Sequence, residues 1–166
     1  MNNKRIQLTL FLDEQASRTI EQVRKTFNPE QYALIRAHVT LCREHELEQL
    51  DRVIRNLTGL DSGHITIAFG PVVRFSEGKG VLIPGSGDNE PFHRLRERIL
   101  QGLVDRPGKH EPHITLMHPR NSTCNAELFA QIEQTAFPDK IEFRKISLIE
   151  QESGQKWRLL NEFDLR

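Results

Sequence analysis

The chain has 166 residues, of which 37% are hydrophobic and 28% are charged, so it is long enough for one globular domain with a buried core. The 23 Lys and Arg residues balance 23 Asp and Glu residues, which leaves no net positive charge to hold long nucleic acid. The sequence contains no apolar run long enough to span a membrane, no signal-peptide pattern and only two cysteines. We therefore expect a cytoplasmic protein without a membrane partner.

The first half of the sequence predicts strands that alternate with helices. Alternating apolar residues indicate a strand at the start, and Asp13 can cap the helix that follows it. Further along, Glu77-Gly78-Lys79-Gly80 is typical of a hairpin turn. The predicted elements in chain order are a strand over 5–12, a helix over 14–27, a loop containing Pro29, a strand over 37–42, a helix over 46–57, a strand over 64–69 and a hairpin of 72–75 with 81–84.

The second half has a similar order of elements. A Gly-rich loop near residues 84–90 is the best candidate for the division between two lobes of a single domain, 1–166. The predicted elements that follow are a helix over 91–103, a strand at 113–116, a helix over 125–136 and strands over 140–150 and 156–163. This order predicts an α+β domain of two similar lobes, each of which contributes one strand to a shared cleft.

One four-residue pattern occurs in both halves. It is His-Val-Thr-Leu at 38–41 and His-Ile-Thr-Leu at 113–116. Each copy predicts a strand, on which the histidine and the threonine point the same way and the two apolar residues point towards the core. Two imidazoles and two hydroxyls on rigid strands suit metal-free acid–base chemistry at a phosphorus centre. The candidate catalytic residues are therefore His38, Thr40, His113 and Thr115.

Two other groups of histidines have simpler explanations. His64 and Thr66 belong to a third copy of the pattern, but that strand continues into an apolar segment rather than a polar loop, so we interpret both as structural. His110, His113 and His118 lie within nine residues of one another, yet no further ligand completes a recognisable zinc site. We therefore expect neither a metal ion nor another cofactor.

The paired motifs resemble the signature of the two-histidine phosphoesterase superfamily, whose bacterial members are often called the 2′-5′ RNA ligase-like family. The segments 8–13 and 156–158 also lie where such proteins have similar elements. The resemblance implies antiparallel sheets that flank a central cleft, with helices packed outside. It further implies an enzyme, a metal-independent phosphodiesterase that acts on a 2′,3′-cyclic phosphate or a 2′-linked phosphodiester of a small nucleotide or RNA end.

In such a site one neutral histidine accepts a proton from the attacking water or hydroxyl, and the other, protonated, donates to the departing oxygen. The sequence leaves open which of His38 and His113 is the base. His118, Arg120 and Arg43 follow the two motif strands and are candidate substrate-binding residues. Many relatives carry an arginine at the place of His118, and the departure leaves open whether His118, Arg120 or neither residue contacts the phosphate.

Other substrates and roles stay open at this point. The same site could act on a cyclic ADP-ribose phosphate or a cyclic oligonucleotide, or catalyse reversible 2′-5′ RNA ligation. A non-catalytic module that binds nucleotides or RNA ends is a further alternative, although both histidine–threonine pairs are intact. Cys42 follows the first motif and by strand alternation could border the cleft, but a small apolar filler is the safer interpretation. We expect a monomer.

Overall fold

The computed structural model describes residues 3–103 and 108–166, which form nine strands, five α-helices and one short 3-10 helix. The strands are β1 Lys4–Phe11, β2 His38–Cys42, β3 Ile65–Ala68, β4 Val73–Phe75, β5 Gly80–Pro84, β6 His113–Met117, β7 Lys140–Phe143, β8 Lys145–Glu152 and β9 Arg158–Asp164. The helices are α1 Glu14–Phe27, α2 Pro29–Leu34, α3 Leu50–Thr58, α4 Glu90–Ile99 and α5 Ala126–Glu133, and the 3-10 helix is Glu44–Glu46.

Seven of these strands form one antiparallel sheet in the order β4-β5-β6-β2-β1-β8-β9, and β3 and β7 form a second sheet. The expected α+β class with antiparallel sheets is confirmed. The two motif strands are neighbours at the centre of the large sheet, where Val39 of β2 lies opposite Ile114 of β6. Strands from both halves of the chain thus meet in one sheet, and the division near residues 84–90 stays a prediction.

The core lies on the sheet face opposite the motif histidines. Val39 and Leu41 of β2 are fully buried, as are Ile114 and Leu116 of β6. These residues belong to one continuous apolar cluster that also contains residues of α1, α3 and α4. Burial of the apolar positions on both motif strands is the outcome predicted from their alternation.

Several element boundaries differ from the sequence prediction. The loop predicted around Pro29 is instead the short helix α2, which that proline begins, because its fixed φ suits the first turn and its missing N–H is not needed there. The helix predicted from residue 46 begins at Leu50, after the 3-10 helix. The strand predicted over 140–150 is divided at Arg144 into β7 and β8, which belong to different sheets. The helix predicted to reach residue 103 ends at Ile99.

Across residues 3–103 and 108–166, the structure contains no helix with the length and apolar composition needed to cross a membrane.

Candidate active site

The four candidate catalytic residues meet in one groove on the face of the central sheet. His38 and Thr40 on β2 and His113 and Thr115 on β6 all line this groove, which encloses about 190 Å³. Each of the four side chains is partly accessible, whereas the apolar residues between them are fully buried. The alternation predicted from sequence therefore places both histidine–threonine pairs side by side, because β2 and β6 are adjacent.

The two histidines make the same hydrogen bond. His38 Nδ1 lies 2.8 Å from the carbonyl oxygen of Arg36, and His113 Nδ1 lies 3.1 Å from the carbonyl oxygen of Glu111. A carbonyl oxygen only accepts, so in each ring Nδ1 carries the proton that is donated. Each ring therefore keeps Nε2 available for a ligand, either as an acceptor when the imidazole is neutral or as a donor when it is protonated.

The protonation of His38 is set by its surroundings. The pKa of His38 is lowered to about 4, mainly by burial and to a smaller extent by Arg24 and the neighbouring His113, against the opposing effect of the Arg36 carbonyl. At neutral pH the His38 imidazole is therefore uncharged, and its Nε2 is a proton acceptor.

A glutamine on the neighbouring strand orients the hydroxyl of Thr40. The Gln7 side-chain amide donates to Thr40 Oγ1 at 3.1 Å and to Thr9 Oγ1 at 2.6 Å. Because Thr40 Oγ1 accepts from Gln7, its own proton is left to be donated to another group. Thr40 is thus prepared to hydrogen-bond an anionic oxygen in the groove.

His118 and Arg120 also line the groove, as the sequence predicted for substrate-binding residues. The backbone N–H of Arg120 donates to His118 Nδ1 at 3.1 Å, and the His118 backbone N–H donates to the side-chain oxygen of Asn28 at 2.9 Å. Burial lowers the pKa of His118, with smaller contributions from Arg120 and Arg5. With Nδ1 as an acceptor, the neutral ring carries its proton on Nε2, where it can be donated to a ligand.

Arg43, the third predicted substrate contact, does not line the groove. Its backbone N–H donates to the Glu46 carboxylate at 2.9 Å, and its Nε lies 3.8 Å from the same group. The structure therefore does not bring this residue to the candidate site.

Cys42 does not border the groove either. A bulge between Leu8 and Thr9 shifts the pairing of β1 with β2, so that Thr40 lies opposite Thr9 and Cys42 lies opposite the core residue Leu8. Cys42 is fully buried, and burial raises the pKa of its thiol to about 12. It packs in the core as a small apolar side chain, which is the interpretation that the sequence favoured.

His64 and Thr66 lie away from the groove. His64 precedes β3 in the small sheet, and its Nδ1 is 3.2 Å from a carboxylate oxygen of Glu142 on β7. Both side chains are exposed to solvent. The third copy of the pattern therefore contributes nothing to the surface that the other two copies share.

His110, which the sequence grouped with His113 and His118, has a different part in the structure. Its Nε2 donates to the carbonyl oxygen of Thr40 at 2.8 Å, and its ring packs edge-on against that of His113, with 6.0 Å between the centroids. Burial lowers the pKa of His110 to about 4, so the ring is neutral at pH 7. In the described part of the chain, no three His, Cys, Asp or Glu side chains converge as a metal site requires.

The sequence alone did not identify several groove residues, because they come from distant parts of the chain. They lie on β1, on α1, on or just after α2, and just before β9, and they are Arg5, Gln7, Arg24, Gln31, Ile35 and Trp157. The Arg5 guanidinium lies 5.5 Å from the centre of the Trp157 ring, close enough for a cation–π contact. Of these residues, the sequence indicated only Trp157, through the resemblance of the closing segment 156–158.

A protein-family model matches most of the chain. The model of the 2′-5′ RNA ligase superfamily matches residues 12–155. Among curated protein sequences, none is significantly similar to the chain.

Solved structures with the same fold extend over nearly the whole chain. A structure of E. coli LigT complexed with 3′-AMP has a TM-score of 0.68 and 17% identity and covers 98% of this chain and 98% of its own. E. coli LigT complexed with phosphate has a TM-score of 0.66 and 15% identity and covers 98% and 97%. A protein of Thermus thermophilus, TT0787, has a TM-score of 0.62 and 19% identity and covers 98% of each chain.

Proposed function

The chain belongs to the 2′-5′ RNA ligase superfamily, and on that premise we propose that it is a metal-independent phosphodiesterase. It hydrolyses a 2′,3′-cyclic phosphate, or a related 2′-linked phosphodiester, on a small nucleotide or an RNA end. The observation that carries this proposal is the matched pair of histidines. His38 and His113 line one groove, and each donates its Nδ1 proton to a backbone carbonyl and keeps Nε2 for the substrate.

We assign His38 as the general base in hydrolysis. Its pKa of about 4 keeps the imidazole neutral, so Nε2 accepts a proton from the attacking water. The water oxygen forms a new bond to phosphorus as the bond to one ribose oxygen breaks. His113 then donates a proton from Nε2 to the departing ribose oxygen, which leaves as a hydroxyl. The product is a phosphomonoester, and proton exchange with solvent returns both histidines to their starting states.

The other polar residues of the groove supply charge stabilisation. Thr40 and Thr115 are placed to donate hydroxyl protons to the non-bridging oxygens as negative charge shifts in the transition state. Arg120 and the Nε2–H of His118 add a positive charge and a donor on the same surface.

The size and lining of the groove favour a nucleotide over an extended polymer. Its volume of about 190 Å³ holds a phosphate with part of a ribose, and Trp157 offers an aromatic surface at its edge. The solved structures of E. coli LigT with 3′-AMP, ATP and NADP+ support a ligand of this class. We further propose a monomer in a reducing cytoplasm, in which Cys42 and Cys124 stay free thiols.

The proposal is tested by incubating the wild-type protein with each of the four nucleoside 2′,3′-cyclic monophosphates, with and without a chelator. We expect turnover of at least one of them, with the 2′- or 3′-phosphate product identifying the bond that breaks. If only a cyclic ADP-ribose phosphate, a cyclic oligonucleotide or a 2′-5′-linked dinucleotide is converted, the site chemistry holds and the substrate changes. Tight binding without conversion of any of these would support the binding-module alternative, and loss of turnover on chelation would refute metal independence.

A further inference from the structure

An ion pair on α1, between Glu21 and Arg24, borders the groove, which Arg24 helps to line. The side chain of Arg24 is only 2% exposed, and it pairs with the carboxylate of Glu21 one turn earlier. A buried guanidinium is costly unless its donors are satisfied. The partners of this pair therefore indicate what it does.

Both members of the pair bind the backbone that leads into β2. The second terminal nitrogen of Arg24 donates to the carbonyl oxygen of Ile35 at 2.7 Å. The second carboxylate oxygen of Glu21 accepts from the backbone N–H of Ala37 at 3.1 Å. Between these two anchored residues lies Arg36, whose carbonyl oxygen receives the Nδ1 proton of His38. The pair thus fixes the backbone on both sides of the carbonyl that sets the tautomer of His38.

We infer that Glu21 and Arg24 are positioning residues for His38, which hold the Arg36 carbonyl in place so that the imidazole keeps its proton on Nδ1 and presents Nε2 to the substrate. The inference rests on the proposed function in that His38 is the group positioned. It adds two residues on a helix, neither of which belongs to the histidine–threonine motifs.

The alternative that Arg24 serves mainly to bind phosphate is disfavoured by its contacts. Both terminal nitrogens already donate to protein groups, and only Nε lacks a partner in residues 3–103 and 108–166. The adjacent Glu21 carboxylate also carries a negative charge, which opposes the approach of a phosphate. Most of the guanidinium is therefore committed to the backbone beside His38.

A comparable pair holds the backbone near the second motif. Arg96 on α4 pairs with Glu46 at 2.7 Å and is also 2% exposed. Its terminal nitrogens donate to the carbonyl oxygens of Gly108, before β6, and Leu41, on β2. Arg96 therefore links the end of the first motif strand to the segment before the second, whereas the carbonyl oxygen that accepts from His113 belongs to Glu111.

The first test is the tautomer of His38 in the wild-type protein. Two-bond ¹H–¹⁵N correlation spectra of the ¹⁵N-histidine-labelled protein distinguish a ring protonated at Nδ1 from one protonated at Nε2. We expect the Nδ1–H form for His38 at pH 7. A ring protonated at Nε2 would overturn the inference, whatever substrate the protein proves to use.

The second test is Glu21→Gln, a nearly isosteric change at a partly exposed side chain, which makes misfolding less of a concern than at Arg24. We expect kcat to fall about 10- to 100-fold because the base is misplaced, with KM within about threefold of the wild-type value. The spectra should show a mixture of His38 tautomers. If Arg24 were instead a phosphate ligand, releasing it from Glu21 would lower KM and leave kcat unchanged, which would overturn the inference.

Substitutions of Arg24 separate its charge from its hydrogen bonds. The charged or titratable groups around His38 are Glu21 and Arg24 from α1, His113 from β6, Arg36 from its own segment, and Arg5, His118 and Arg120 elsewhere in the groove. Because the charge of Arg24 helps to lower the pKa of His38, Arg24→Gln should raise that pKa as well as lower kcat. Arg24→Lys should restore the lower pKa but only part of kcat, since one ammonium cannot span the Glu21 carboxylate and the Ile35 carbonyl together.

Lys25→Gln removes a positive charge from the next, exposed position of α1 and is the matched control, for which we expect wild-type kcat and His38 tautomer. A folded Glu21→Gln variant with the Nδ1–H tautomer and wild-type kcat would overturn the inference. If the wild-type protein converts none of the cyclic phosphates, the proposed function fails, while the spectra of wild type and Glu21→Gln still decide whether the pair positions His38.

Discussion

The lowered pKa of His38 predicts a specific dependence of stability on pH. The pKa of this ring is 6.5 in the unfolded chain and about 4 in the folded protein, so the unfolded state takes up a proton first as the pH falls. The contribution of His38 to the free energy of unfolding is therefore fully present above pH 6.5 and is lost progressively as the pH falls towards 4. Between pH 7 and pH 5 the linkage relation gives a loss of about 2 kcal/mol from this one group. Since the ring keeps some contact with solvent, we expect about 1 to 2 kcal/mol.

The assay compares urea unfolding of the wild-type protein and His38→Gln at pH 7 and pH 5, followed by far-UV circular dichroism. The variant lacks the titrating ring, so its free energy of unfolding should fall by about 1 to 2 kcal/mol less than that of the wild type over this range. Burial also lowers the pKa of His110 to about 4. His110 is present in both proteins, so the difference between them reports the contribution of His38 alone. His64→Gln is the matched control for loss of one histidine. Equal losses in wild type and His38→Gln would refute the neutral-base assignment.

Three further predictions concern residues around the groove and in the core. Gln7→Ala should lower kcat about tenfold with little change in KM, because the hydroxyl of Thr40 loses its orientation, and steady-state kinetics measures both constants. Arg96→Met should lower the free energy of unfolding by about 3 to 5 kcal/mol, as urea titration would show, because it leaves a buried carboxylate without its partner. Cys42 should resist alkylation by iodoacetamide in the native protein while Cys124 reacts, a difference that mass spectrometry of the labelled peptides detects.

The sequence predicted the two motif strands well because their signals are local. In a strand, the alternation of side chains fixes which residues share a face, so the grouping of His38 with Thr40 and of His113 with Thr115 follows from four consecutive residues. The cap of α1 is equally local, since Asp13 accepts from the backbone N–H of Ala16 at 2.7 Å as its position predicted.

The residues that the sequence missed depend on contacts between distant elements. Gln7 acts on Thr40 only because β1 pairs with β2, and Trp157 reaches the groove only because the chain returns there before β9. The prediction for Cys42 illustrates the same point, because an irregularity in the pairing of β2 with β1 changes the face on which this residue lies. Arg43 has a suitable charge and position in sequence, yet Glu46 binds it outside the groove.

The central claim is that the two motif histidines, and not the third, perform the chemistry. It is tested most directly by measuring kcat of His38→Ala, His113→Ala and His64→Ala on the best cyclic phosphate, with chelator present. We expect the first two variants to lose at least about 100-fold in kcat, in keeping with general acid–base catalysis, and His64→Ala to match the wild-type protein. Turnover within about threefold of wild type in His38→Ala or His113→Ala, or an equal loss in His64→Ala, would contradict two-histidine catalysis.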